Sequence, residues 1–241
     1  MNFLIKITFV FLLIVFNVNA AEIKIAVASN FKSAIYSLVK EFEKNTKHKI
    51  ILSFASTGKH YAQIKNGAPF SVFLAADVKR AKLLEQQNIA IKGSRFTYAI
   101  GKLVLWSKAE TKNLNNILLQ NKFKLLAIAN PRHAPYGKAA KEYLENINIW
   151  HNIKNKLIRG ENINQTFQFA DSGSVDLALI ALSQVITSNK TKFEKIDENL
   201  YTPIKQQAVL LKNENTAKLF LQFIKSDKAK KIIKKYGYDT L

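Results

Sequence analysis

Cysteine is absent from all 241 residues. Its absence excludes disulfides, iron–sulfur clusters, thiolate zinc sites, cysteine nucleophiles and a lipid-modified N-terminal cysteine. Arginine is nearly as scarce. Arg80, Arg95, Arg132 and Arg159 are scattered among many lysines, with Lys+Arg at 37, Asp+Glu at 17 and a formal net charge of +20. Such an excess raises nucleic acid as a partner. Nucleic-acid sites favour arginine for bidentate contacts, however, and no recognition motif is present. The lysines come with many Asn and Ile residues, as in a compositional drift, and no nucleic-acid partner is expected. The four histidines, His48, His60, His133 and His151, stand in no metal-binding spacing. Acids are sparse, and there is no G-x-S-x-G elbow or P-loop. The histidines read as surface or turn residues, and an enzyme is not expected. With 4 prolines and 8 glycines no Ser/Gly/Pro-rich linker divides the chain, and no internal repeat or low-complexity segment is evident.

What is present begins with an export signal. Lys6 is the only charge in residues 1–20; Ile7–Phe16 is an apolar run, and Asn17-Val18-Asn19-Ala20 supplies small or compact residues where a signal peptidase reads. The segment is too short and wrongly flanked for a membrane span. Cleavage is expected after Ala20. A soluble exported protein with no anchor is best kept by an outer membrane, so the expected compartment is the periplasm.

The remaining chain has 48% hydrophobic composition overall to draw on, enough for a proper core. Ile23, Ile25 and Val27 alternate as a strand, and Phe31, Ala34, Ile35, Leu38, Val39 and Phe42 recur at helical spacing to about Asn45. Lys49–Phe54 is a second strand and Lys59–Lys65 a helix; Val72–Ala75 is a buried strand, and Asp77 caps a helix over Val78–Gln87. This βαβαβα rhythm argues for a parallel sheet covered on both faces. After the long β-type run Tyr98–Trp106 a second α/β rhythm starts. It comprises a helix at Leu114–Leu119, a strand at Leu125–Ala129, a helix after Pro135 to about Asn148, a helix at Ile163–Asp171 and a strand at Val175–Leu182. Ile204–Lys212 is again β-type, and helices at Glu214–Lys225 and Lys228–Tyr236 close the chain. Two α/β units joined by two extended segments, about 98–106 and 204–212, predict one hinged body of two lobes, the last helices returning to the first. The expected division is residues 1–20 as signal peptide, 21–102 and 206–241 as the first lobe, and 103–205 as the second.

Two strand-to-helix junctions carry small polar residues: Ser29-Asn30, and Ser56-Thr57-Gly58. Such a junction sets side-chain oxygens beside the unsatisfied N–H groups and positive dipole end of a helix, a ready anion site. Gly58, having no Cβ, lets a ligand approach the backbone. Taken singly, each junction reads as a plain N-cap.

Six stretches in order then carry a family resemblance: AVASN (Ala26–Asn30), FASTGKHYAQIKNGAPF (Phe54–Phe70), LAADVKRAKLL (Leu74–Leu84), GSRFTYAIGKLVLWS (Gly93–Ser107), AIANPRHAPYGKAA (Ala127–Ala140) and GENINQTFQFADSG (Gly160–Gly173). Over nearly all of Ile23–Gly237 the chain resembles ModA-type periplasmic molybdate-binding proteins, the substrate-capturing subunits of molybdate ABC importers. The resemblance implies an α/β, two-lobed type II periplasmic-binding-protein fold, each lobe a mostly parallel sheet flanked by helices, joined by two hinge strands. It implies a monomer that holds molybdate or tungstate between the lobes and delivers it to membrane permease and ATPase subunits. No cofactor and no directly coordinated metal are implied, the metal being bound as its oxyanion. Ser29 and Asn30 match the first ligand loop, and Thr57, with Ser56 beside it, the second. Tyr136 and the backbone around Asn162 and Ile163 match the contacts from the second lobe. All are neutral donors, as a fully ionised tetrahedral dianion can use, and Lys59 and Lys102 read as solvated. The same fold binding sulfate, phosphate or chromate is the alternative. The chain departs from the family in Ala55, where Gly is frequent, in Ala75, where Ser is frequent, and in Ile180–Val185, which offers no tyrosine.

Overall fold

The computed structural model describes residues 21–109, 113–188 and 192–241. The expected signal segment, residues 1–20, lies outside them. The first lobe is built from β1 (Glu22–Ala28), a 3-10 turn (Ser29–Phe31), α1 (Lys32–Asn45), β2 (Lys49–Ala55), α2 (Thr57–Lys65), β3 (Val72–Ala75), α3 (Val78–Gln86) and β4 (Phe96–Gly101). The second follows with β5 (Leu103–Trp106), α4 (Leu114–Leu119), β6 (Leu126–Ala129), α5 (Pro135–Asn146), β7 (Leu157–Gly160), α6 (Ile163–Asp171), β8 (Leu177–Ala181), α7 (Leu182–Thr187) and β9 (Phe193–Lys195). The chain then returns through β10 (Ile204–Leu210), α8 (Asn215–Lys225) and α9 (Asp227–Lys235).

Among the described residues these strands form two five-stranded sheets, ordered β2-β1-β3-β10-β4 and β7-β6-β8-β5-β9. In the first sheet β2, β1 and β3 are parallel and β10 runs against both β3 and β4. In the second, β7, β6 and β8 are parallel and β5 runs against both β8 and β9. Each sheet thus has a single reversed strand. The β-type run at residues 98–106 is not one strand: it breaks at Lys102, leaving β4 in the first sheet and β5 in the second. The return crossing precedes β10, which lies wholly in the first sheet, and the two crossings meet where Ile204 pairs with Gly101.

Alternation explains the layers. Ile23, Ile25 and Val27 point into a core shared with α1, α8 and α9, while Ala26 and Phe73 face α2 and α3. Likewise Leu103 and Leu105 face α4 and α5, and Val104 and Trp106 face α6 and α7. The helical spacing read for α1 is its buried face: Ala34, Ile35, Leu38, Val39 and Phe42. Asp77 caps α3, its carboxylate accepting the Arg80 N–H at 2.8 Å. β7, β9 and α7 escape the sequence pattern. The two strands are short edges of the second sheet with half-exposed or exposed side chains, where no alternation is enforced. α7 begins directly at the end of β8 and so reads as more of the same apolar run.

His60 corrects the surface reading of the histidines. It is 1% exposed, Nε2 faces the Ser53 carbonyl at 3.1 Å, Nδ1 meets Gln63 Oε1 at 3.0 Å, and Phe70 and Phe73 meet its ring edge-on. Burial pushes its pKa below the ordinary 6.5, so the unfolded chain binds the proton more readily than the fold does. Stability should therefore fall as pH drops below about 6.5, the ordinary histidine value. Urea unfolding at pH 5 and pH 7 measures the difference, and His60→Gln should shrink it.

Candidate functional site

The parallel registers bring the predicted turns together. Ala28 pairs with Ala55 at the ends of β1 and β2, so Ser29-Asn30 and Ser56-Thr57 leave the same edge of the first sheet side by side. In the second sheet Ala129 pairs with Gly160, which sets the loop before α5 next to the Glu161-Asn162 turn before α6. Both pairs lie at the carboxyl ends of parallel strands, the usual ligand edge of open α/β sheets. The two edges face each other. α6 packs on the Ser29–Phe31 turn; the Gly58 N–H donates to the His133 carbonyl at 2.8 Å, and Arg80 Nη2 donates to the Arg132 carbonyl at 2.8 Å. Ser183 Oγ donates to the Asn30 carbonyl at 3.2 Å. The lobes are closed on one another.

Within this closed edge the candidate residues divide by what their polar atoms already do. Ser56, 5% exposed, is the N-cap of α2 by position, yet its hydroxyl makes no cap bond. Ser29 is 4% exposed in the 3-10 turn, whose entry likewise has no side-chain cap. Thr57 is committed: its Oγ1 accepts the Ala76 N–H at 3.0 Å, tying the start of α2 to the end of β3. Asn162 is a true cap, its Oδ1 accepting from the N–H groups of Asn164 at 2.9 Å and Gln165 at 3.2 Å. The backbone N–H of Ile163, the first residue of α6, is thereby left as the open donor of that turn. Asn30 spends its amide N–H groups on Gln206 Oε1 at 2.9 Å and the Tyr238 hydroxyl at 3.2 Å. Tyr136 enters from the start of α5 and its phenol reaches the hinge, against Gly101, where a Cβ would lie 2.1 Å from the hydroxyl. The Asn30 carboxamide lies close to it, but no acceptor meets the phenol, which is buried without a hydrogen bond. Burial pushes its pKa well above the ordinary value, so it stays a neutral O–H donor.

Two expectations change here. Gly58 does bring backbone close, but what it admits is the His133 main chain of the other lobe, 2.9 Å from where a Cβ would stand. Lys102 is not a solvated side chain: it sits in the hinge, paired with Asp239 at 2.8 Å and Glu198 at 3.4 Å. Its hydrogen bond to the Asp239 carboxylate raises its pKa. Lys59 is exposed, as expected. Gln206 and Tyr238 join the site although sequence reading passed over both. The only signal for Gln206 was a polar pair interrupting an otherwise apolar strand. A cavity of about 370 Å³ also opens between the lobes beside this cluster, walled by Ala76, Arg80, Ala134, Pro135 and Thr202 among others, and by none of the seven candidates. Among the described residues no cluster of His, Cys, Asp or Glu could hold a metal ion.

Residues 23–239 match the family model of the bacterial extracellular solute-binding proteins. A protein of Azotobacter vinelandii named molybdate-binding protein ModA is 44% identical over 227 residues, 91% of this chain and 90% of the relative. This chain belongs to the ModA family. The ModA of Rhodobacter capsulatus is 40% identical over 225 residues, 92% of this chain and 89% of the relative. The solved periplasmic molybdate-binding protein of Azotobacter vinelandii superposes with a TM-score of 0.86 at 37% identity, covering 91% of this chain and 99% of that one. The sulfate-binding protein SubI of Mycobacterium tuberculosis shares the fold, with a TM-score of 0.75 at 13% identity.

Proposed function

We propose that this chain is a periplasmic substrate-binding protein that captures molybdate, and tungstate with it, between its lobes and hands it to the permease and ATPase of an ABC importer. The observation that carries the reading is the set of uncommitted neutral donors gathered where the two sheet edges close: the hydroxyls of Ser29 and Ser56, the Ile163 N–H and the Tyr136 phenol. A dianion with no counter-charge in the site needs several such donors held at fixed positions. Asn30 lines the same turn, while Thr57 and Asn162 act mainly by fixing the turns from which the donors project. Catalysis has no place in this reading, since a tight, fully ionised guest offers nothing to activate.

The relatives' names support molybdate as the cargo, and export of residues 1–20 ahead of a cleavage after Ala20 suits a soluble periplasmic monomer without a lipid anchor. Neutral donors alone do not separate one tetrahedral dianion from another, so cavity size must exclude the smaller sulfate. Titration calorimetry with molybdate, tungstate, sulfate and phosphate tests this. Molybdate and tungstate should give saturable heat and the other two none. Saturable binding of sulfate or phosphate, or silence with molybdate, would overturn the assignment. Ser56→Ala should weaken molybdate by about 1–3 kcal/mol, the cost of losing a donor to a charged group.

A further inference from the structure

Three phenols and two carboxamides meet at the hinge. Tyr98 O–H donates to Gln206 Oε1 at 3.0 Å, and Asn30 Nδ2 donates to the same oxygen at 2.9 Å. Those two bonds fix which end of the Gln206 carboxamide is oxygen. Its Nε2, with two N–H donors, points the other way and has no partner, in a residue 0% exposed. The Tyr136 phenol is orphaned in the same manner, and both atoms crowd the same face of Gly101, 3.0 Å and 2.1 Å from where its Cβ would be. The backbone has been adjusted to aim this side chain. The β10–β4 ladder slips between Gln206 and Gln207, so that two consecutive residues are both buried; such bulges re-aim side chains beside sites. Gln207 makes the contrast. Its Oε1 accepts from Arg95 at 2.7 Å and its Nε2 donates to Thr97 at 3.2 Å.

Buried polar groups without partners are rare and costly. Two orphaned donors side by side, with no acceptor between them, call for an anionic oxygen. We infer that Gln206 is a further ligand-binding residue, its Nε2 N–H meeting an oxygen of the bound oxyanion beside the Tyr136 phenol. This rests on the oxyanion reading of the cleft. The amide has a second effect, since its oxygen also holds Asn30 and Tyr98 in place, so one residue both shapes the first-lobe turn and donates to the guest.

Gln206→Glu separates these two tasks. It keeps an acceptor oxygen for Asn30 and Tyr98 and replaces only the donating end. A carboxylate facing a dianion must take up a proton before the guest can bind. The titratable groups facing this position are Tyr98, Tyr136 and Tyr238, the last pushed up to about 12 and the others higher by burial, so the wild type offers a flat background near neutrality. Calorimetry of the purified protein with molybdate, across about pH 5.5–8 where a buried carboxyl titrates, is the experiment. At the upper end Gln206→Glu should bind at least tenfold more weakly than wild type, as expected for a lost donor to a charged group. Its affinity should recover as pH falls, with uptake of a proton read from heats in buffers of different ionisation enthalpy. A wild-type affinity, or a loss that does not vary with pH and takes up no proton, overturns the role of Gln206. Silence of the wild type with molybdate instead overturns the oxyanion reading, and the Gln206 role with it. If Gln206→Glu fails to fold, Gln206→Met and Tyr98→Phe take its place. The first should lose about tenfold and the second less than about twofold, since Tyr98→Phe strips a partner only from Oε1. Equal affinities of the two would overturn the proposal.

Discussion

Phe31→Ala should lower the unfolding free energy by about 3–5 kcal/mol, the range for deleting a fully buried aromatic ring. Phe31 is 0% exposed and ends the 3-10 turn that carries Ser29 and Asn30. Its ring meets Tyr98 edge-on at 4.8 Å and Tyr238 at 5.2 Å. Few positions are so badly placed to collapse. The cavity would open between the sheet, the turn and the C-terminal segment, and backbone from three directions bounds it. A domain of ordinary stability has only about 5–15 kcal/mol in total, so the variant should sit near its threshold. Urea titration measures it: the midpoint should fall while the slope stays that of the wild type, because the surface exposed on unfolding is nearly the same. The loss should also reach the site. Tyr238 donates to the Asn30 carbonyl at 2.7 Å and accepts from its amide; freed of the Phe31 ring, it would hold Asn30 less firmly, and molybdate affinity should fall with stability.

Local chemistry was legible in the sequence, and long-range pairing was not. Period-two alternation at Ile23, Ile25 and Val27 and helical spacing at Phe31–Phe42 gave β1 and α1, because burial on one face enforces those periods. The four turns that meet in the cleft were visible as strand-to-helix junctions bearing Ser, Asn or Tyr, and family resemblance joined them. What each junction does with its polar atoms was hidden. Thr57 looked the better donor of its turn, yet its hydroxyl accepts from Ala76, a residue 19 positions away on β3. Asn162 looked like a ligand or a cap, and its bonds make it a cap. His60 carried no sign of burial, because the Ser53 carbonyl and Gln63 that satisfy it are supplied by the fold. Gln206 was the deepest omission. A glutamine in a strand is read as a weak point, and only the three-dimensional meeting of β4, β10, the first turn and α5 turns it into a fixed donor.

Gly137→Ala should cost about 3 kcal/mol, the upper part of the range for overpacking, and should weaken the oxyanion as well. A Cβ at this position would lie 2.1 Å from the Ala129 carbonyl oxygen and 2.6 Å from its carbon. Neither atom can yield, since Ala129 is the last residue of β6, clamped between β7 and β8 in the centre of its half of the sheet. The first turn of α5 must lift instead, and Tyr136, one residue earlier, lifts with it. Gly58→Ala provides the control. There the new methyl would meet the His133 carbonyl at 2.9 Å, across the cleft and not within a lobe. Opening the lobes by a small rotation relieves that clash without disturbing either core. The two alanines should therefore separate in a pair of measurements. Gly137→Ala should shift the urea midpoint markedly and weaken molybdate, whereas Gly58→Ala should leave the ligand-free midpoint within about 0.5 kcal/mol of wild type, as for a change that touches no core, and still weaken molybdate. Equal midpoint shifts for both would mean that Gly58 is a packing position like Gly137 and that closure does not hinge on the contact between α2 and the loop before α5. The expected split follows from where each glycine's missing Cβ points: one toward its own sheet, the other toward the opposite lobe.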